Sequence, residues 1–226
     1  MNTGRQTICN LIATATILAM GAMSASAATF DFSPGATGFP FNPTGNVNTG
    51  VTTFSQPVSG ITLTGTANGG NISANNQTTG AGNGNVGLGV VGNGGTAINS
   101  GGGENLTFTF DMNVLLEEIV IDGHANPESA QVALPGFTFQ VVGANTINGS
   151  APAGTTFLST SGADATVEDF VTFGTPFALS AGQSIVLSNS TSGGYFVQSI
   201  TASPVPEPSG IVLAAAGLLM FLRRRK

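Results

Sequence analysis

The sequence predicts an all-β domain, an antiparallel β-sandwich or jelly roll, and three observations carry that prediction. Short runs alternate apolar and polar residues with period two, as half-buried strands do. Gly is abundant at 33 residues, and Gly, Pro and Asn clusters separate most of the runs. No window in the body sustains a helical period for three turns, so some ten to twelve short strands must build the core.

The elements follow in chain order. Thr29-Phe30-Asp31-Phe32 alternates and is closed by a Pro34-Gly35 turn. Thr53 to Thr64 returns to period two, with Ile61 and Leu63 on one face and Thr62 and Thr64 on the other. β-branched Thr suits an exposed pleated surface. Residues 68–103 are dominated by Gly and Asn. Asn68-Gly69, Asn83-Gly84 and Asn93-Gly94 are tight-turn dipeptides. Gly87-Leu88-Gly89-Val90-Val91-Gly92 matches a phosphate-loop pattern, but no helix or βαβ unit surrounds it. A strand with glycines along one face explains it better.

From Glu104 the alternation sharpens. Leu106, Phe108 and Phe110 face the core, and Asn105, Thr107 and Thr109 oppose them. Val114 to Ile121 is an apolar run of strand length, ended by Asp122-Gly123. Phe137 to Val141, Thr155 to Leu158, Thr166 to Phe173, Gln183 to Ser188 and Tyr195 to Ala202 complete the predicted strands.

Charge divides the chain. All five cations are Arg5, Arg223, Arg224, Arg225 and Lys226, so no Lys or Arg lies between Gln6 and Leu222. The body holds ten acids and His124 as its single imidazole. A cation-free body cannot neutralise phosphates, which excludes nucleic acid as a partner. Side-chain ion pairs are confined to those His124 can make. Stability must come from apolar burial and backbone ladders.

The ends read as targeting segments around a domain of residues 28–203. Residues 1–27 predict a signal peptide, whose apolar part would be a helix: Arg5 is the positive start, Ile8 to Ala22 is mostly apolar, and Ala25-Ser26-Ala27 fits a cleavage site. Cys9 is the only cysteine and stands at the start of the apolar region, not at its end, so the mature chain has no disulfide or thiol chemistry. Residues 204–226 form a tail of three parts. Pro206-Glu207-Pro208 is a stiff spacer. An apolar stretch follows, marked by Ile211, Leu213, Leu218 and Leu222, and then the basic cluster Arg223, Arg224, Arg225 and Lys226. As a helix, Ile211 to Leu222 spans about 18 Å, short of the ~30 Å core of a bilayer. The tail is thus a marginal transmembrane helix, with its cations expected on the cytoplasmic side.

Val205-Pro206-Glu207-Pro208-Ser209, the apolar stretch and the Arg-rich terminus resemble the PEP-CTERM sorting signal of Gram-negative bacteria. That resemblance implies export through the inner membrane and a precursor transiently anchored there. It also implies processing by exosortase near Pro206-Glu207-Pro208 and delivery to the cell surface or extracellular matrix. The family is linked to exopolysaccharide, biofilm and floc formation. Val86 to Val90, with Glu104 to Asp111 and Val114 to Ile121, also looks like the β-rich cargo domains found with such tails, which supports the fold and assigns no site.

Two acidic groupings are candidates for chemistry in the body. Asp122, His124 and Glu128 fall within seven residues and could converge on a metal. A solvated loop is the simpler expectation, since structural zinc wants four ligands. Asp164, Glu168 and Asp169 offer oxygen ligands without EF-hand spacing. Paired carboxylates also suit glycoside hydrolysis. Trp is absent, so sugar stacking would fall to Tyr195 or an exposed Phe. No G-x-S-x-G elbow supports a serine nucleophile for His124. The expectation is a non-enzymatic surface protein with no metal or cofactor, structural or adhesive in exopolysaccharide. An envelope-associated carbohydrate-active enzyme using the acids is the alternative.

Overall fold

A computed structural model describes residues 26–33, 35–42, 47–76, 86–92, 95–99, 103–124, 129–143, 145–159, 168–191 and 193–205. Ala27–Pro204 forms one compact unit. The described residues are all-β, with antiparallel pairing throughout and no helix. None therefore forms a helix long and apolar enough to cross a membrane. The predicted signal helix and tail helix lie outside the described residues.

One sheet has nine strands. They are β1 (Ala28–Asp31), β2 (Val47–Asn48), β5 (Asn71–Asn76), β6 (Val86–Val91), β7 (Ile98–Asn99), β9 (Val114–Asp122), β13 (Thr155–Ser159), β14 (Asp169–Leu179) and β16 (Gly194–Pro204). The order is β13-β14-β9-β16-β6-β5-β2, and β1 and β7 also pair with β16. The other sheet has seven strands. They are β3 (Thr53–Val58), β4 (Ile61–Asn68), β8 (Asn105–Phe110), β10 (Ser129–Leu134), β11 (Phe137–Val142), β12 (Thr146–Ser150) and β15 (Ser184–Asn189). Its order is β12-β11-β10-β15-β8-β4-β3.

Alternation dictates which residues are buried. Leu106, Phe108 and Phe110 of β8 are buried, as are Ile61 and Leu63 of β4. They join Ile119, Ile121, Val171, Val197 and Ile200 of the nine-stranded sheet in one apolar cluster. Rings from the two sheets meet. Phe30 of β1 lies 5.7 Å from Phe110, and Phe137 of β11 lies 5.6 Å from Phe177 of β14. Phe32, just after β1, stacks on Phe108 at 5.6 Å and 12°. Burying such rings drives folding in a body that has almost no ion pairs to use.

Several details differ from the sequence expectation. Thr53 to Thr64 is a hairpin: Ser59 and Gly60, at φ 51° and 82°, turn β3 into β4. A two-residue turn with both φ positive matches the twist of paired strands. β5, β10 and β12 were not expected from the sequence. Their runs NISANN, SAQVAL and TINGS are poor in aromatic and β-branched residues, and pairing on both sides holds β5 and β10 in place. β14 extends to Leu179, beyond the expected Phe173, by way of a wide irregularity between Thr172 and Phe177.

The glycine-faced strand is present as β6. A Cβ on Gly87 would stand 2.4 Å from the Val197 carbonyl oxygen, and one on Gly89 would stand 2.1 Å from that of Thr96. Glycine is there because backbone crosses that face at contact distance.

Candidate functional site

The charged residues of the strands all belong to one sheet. Asp31, Glu117, Glu118, Asp122 and Asp169 are on the nine-stranded sheet, and the strands of the seven-stranded sheet contain no charged residue. Two bulges place the acids. Glu117 is the extra residue of β9 between the Thr201–Glu118 and Ala202–Leu116 pairs. Gln198 is the extra residue of β16 between the Val197–Ile121 and Ser199–Val120 pairs. A bulge adds a residue on one strand and re-aims its neighbours. Glu118 stands outward, and the Glu117 carboxylate accepts from the Ser203 hydroxyl at 2.6 Å.

Register then assembles two rows across the exposed face. One reads Leu158, Phe170, Val120, Ser199, Asp31 over β13, β14, β9, β16 and β1. The next reads Thr156, Thr172, Glu118, Thr201, Thr29. Asp31, Glu118, Glu168, Phe170 and Gln198 line a shallow groove of about 230 Å³ there. Phe170 is partly exposed and lies off the core cluster, and Leu158 beside it is 55 % exposed. The carboxylates are held by neutral donors. Ser33 N–H donates to Asp31 at 2.7 Å, Thr172 Oγ1 to Glu118 at 3.4 Å, and Gln198 Nε2 to Glu168 at 2.7 Å.

A second, buried cluster lies at the ends of β9 and β14. His124 Nδ1 is 3.0 Å from Asp169 Oδ2, which brings together residues of the two acidic groupings seen in the sequence. Phe157 packs edge-on against the imidazole, with centroids 5.8 Å apart. Asp122 and His124 are not solvated as expected, and the loop that follows them lies outside the described residues. Both are buried, at 3 % exposure each. The His124–Asp169 contact satisfies polar atoms that would otherwise resist burial.

Asp122 Oδ2 accepts from Val86 N–H at 2.6 Å, while its Oδ1 has no hydrogen-bond partner. Burial pushes its carboxyl from 3.8 up to about 6. The Val86 and Gly123 amides oppose that rise, and the nearby Glu168 and Asp169 charges add to it. Among the described residues no group of three His, Cys, Asp or Glu is placed to hold a metal ion. Glu128 and Asp164 lie outside those residues.

Tyr195 is fully buried and donates its hydroxyl to the Ser188 carbonyl at 2.9 Å. Burial also pushes its phenol upward. It therefore offers no stacking face, and no Phe among the described residues is more than partly exposed. The sequence reading did not single out Phe170, Glu118, Asp31 or Gln198. The signal available for them was the Glu117-Glu118 doublet, two acids in succession inside an apolar run.

The targeting residues lie almost wholly beyond the described ones. Ala25, Pro206, Glu207, Pro208, Ile211, Leu213, Leu218, Leu222, Arg223, Arg224, Arg225 and Lys226 are outside. Ala27 is exposed, and β1 begins at Ala28, the residue that would follow cleavage there. No protein family, curated protein or solved structure matches the chain.

Proposed function

We propose that this chain is an exported surface protein whose tail is an exosortase sorting signal. Its body is a β-sandwich that acts by binding, with a structural or adhesive role in extracellular polysaccharide. The observation that carries this reading is the tail itself. Pro206-Glu207-Pro208, a short apolar stretch and Arg223 to Lys226 stand together after a body without Lys or Arg. The shared apolar cluster and the cross-sheet ring pairs support a sandwich, because residues of both sheets meet in one core. The precursor is held in the inner membrane while the tail is engaged, and the mature body is left outside.

Intact-mass measurement of the surface-associated protein tests the processing. The expected mass lacks residues 1–27 and the segment after Pro206-Glu207-Pro208. A surface form that retains residues 209–226 would make the tail a permanent anchor and overturn the sorting role.

A further inference from the structure

The groove on the nine-stranded sheet joins two features. One is an apolar strip. Leu158, Phe170 and Val120 are consecutive partners across β13, β14 and β9; Phe170, partly exposed, and buried Val120 line the groove, and exposed Leu158 stands beside it. The other is negative charge. Asp31, Glu118 and Glu168 line the same groove, in a chain that holds no Lys or Arg between Gln6 and Leu222. Side-chain amide and hydroxyl groups from Gln198 and Ser199 complete the lining. A ligand that suits it presents a flat apolar face, hydrogen-bond donors around its rim, and positive charge.

A pyranose ring has such an apolar face, made of its C–H groups, and an equatorial rim of hydroxyls. Aromatic rings take that face by stacking, and carboxylates accept from the hydroxyls as charge-assisted partners. An amine on the ring adds a positive charge that complements the carboxylates. We propose that this groove binds an extended glycan carrying free amino groups, a polymer of hexosamine units that are not acetylated. Phe170 forms the stacking platform. Glu118, Glu168 and Asp31 hold the ammonium and hydroxyl groups. A groove of about 230 Å³ takes a short piece of the polymer.

The seven-stranded sheet supplies the contrast that makes this specific. Its exposed face carries the aligned series Asn68, Asn105, Ser188, Gln131, Gln140 and Asn148, with no charge and no aromatic platform in the row. Polarity alone is therefore common to both faces, and only one combines it with carboxylates and a partly exposed ring.

This inference rests on the extracellular binding role proposed above, and its test is separable from the test of sorting. Calorimetry on the full chain in detergent would compare three probes: a glucosamine hexamer with free amines, its fully N-acetylated form, and hexalysine. The buffer is mildly acidic so that the amines are protonated. The free-amine hexamer should bind, and acetylation should weaken it roughly tenfold or more as the charge contacts are lost. Phe170→Ala should weaken it roughly tenfold, while Phe170→Trp retains binding. Glu118→Gln should also weaken it, and Thr64→Val on the other sheet should leave it unchanged. Circular dichroism of each variant separates lost binding from lost folding.

No binding of the free-amine hexamer would overturn the proposal. Equal binding of the acetylated hexamer would do so as well, because charge would then be irrelevant. Hexalysine binding as tightly as the glycan, with Phe170→Ala indifferent, would assign the groove to basic peptides instead. Each of these leaves surface delivery intact, since delivery is read from the processed mass.

Discussion

The seven-stranded sheet turns Thr, Ser, Asn and Gln outward in unbroken register, whereas the nine-stranded sheet turns out Asp31, Glu118 and Phe170 beside two bulges. Both are antiparallel, and both press the same kind of apolar residue inward. On the regular face the side chains satisfy one another. Ser55 meets Thr64 at 3.2 Å, and Asn68 donates to Asn105 at 2.9 Å. Opposed Thr and Ser pairs of this kind stabilise a ladder by a few tenths of a kcal/mol, on the order of 0.2–1 each. On the other face the register breaks at Glu117 and at Gln198, and the carboxylates stand in a groove. Regular pairing uses up polar capacity within the sheet, and bulges re-aim side chains away from that pairing.

The largest effect should come from the core that both sheets share. Phe108 is fully buried and stacks on Phe32. Phe108→Ala should cost about 3–5 kcal/mol in denaturant unfolding, with one transition reported by probes on both sheets. Two separate transitions would show that the sheets fold apart, and the comparison would then be between domains.

Next is the close crossing at β6. Gly89→Ala drives a methyl group into the Thr96 carbonyl, so it should destabilise by about 1–3 kcal/mol. Wild-type stability in the same unfolding assay would mean that segment yields easily.

Asp122 tests the electrostatics of the charged sheet. Its folded value of about 6 lies above the ordinary 3.8. The folded chain therefore binds the proton more tightly than the unfolded one. This contribution is fully present below 3.8 and is lost as pH rises through about 6. Asp122→Asn, which keeps an acceptor for Val86 N–H, should stabilise the protein at neutral pH by about 1–2 kcal/mol. Thermal melts should show that gain vanish in acid. A loss at neutral pH would mean that the ionised carboxylate is the favoured form there.

Smallest of all should be changes to the regular face. Thr64→Val and Thr66→Val should each shift stability by no more than about 0.5 kcal/mol. A larger loss in either melt would show the Thr ladder to be structural.

The sequence revealed the strands whose alternation is carried by Phe, Ile, Leu and Val, such as β8, β11 and β16. It also revealed the glycine face of β6, because Val86, Leu88 and Val90 alternate with residues that can only be small. It concealed β5, β10 and β12, where neighbouring strands override weak local preference. The groove was hidden for a different reason. Phe170 and Asp31 are far apart in the chain and meet only through the intervening registers of β14, β9, β16 and β1. His124 and Asp169 met in the same way, in a place expected to be solvated. Single residues such as Glu118 were visible, but nothing local says that a bulge turns one acid of a doublet outward.

The most direct test of the whole account is to delete residues 209–226 and locate the product. The account predicts that the truncated protein is exported but no longer retained at the cell surface, and is recovered instead from the medium or periplasm. Unchanged surface retention would contradict it.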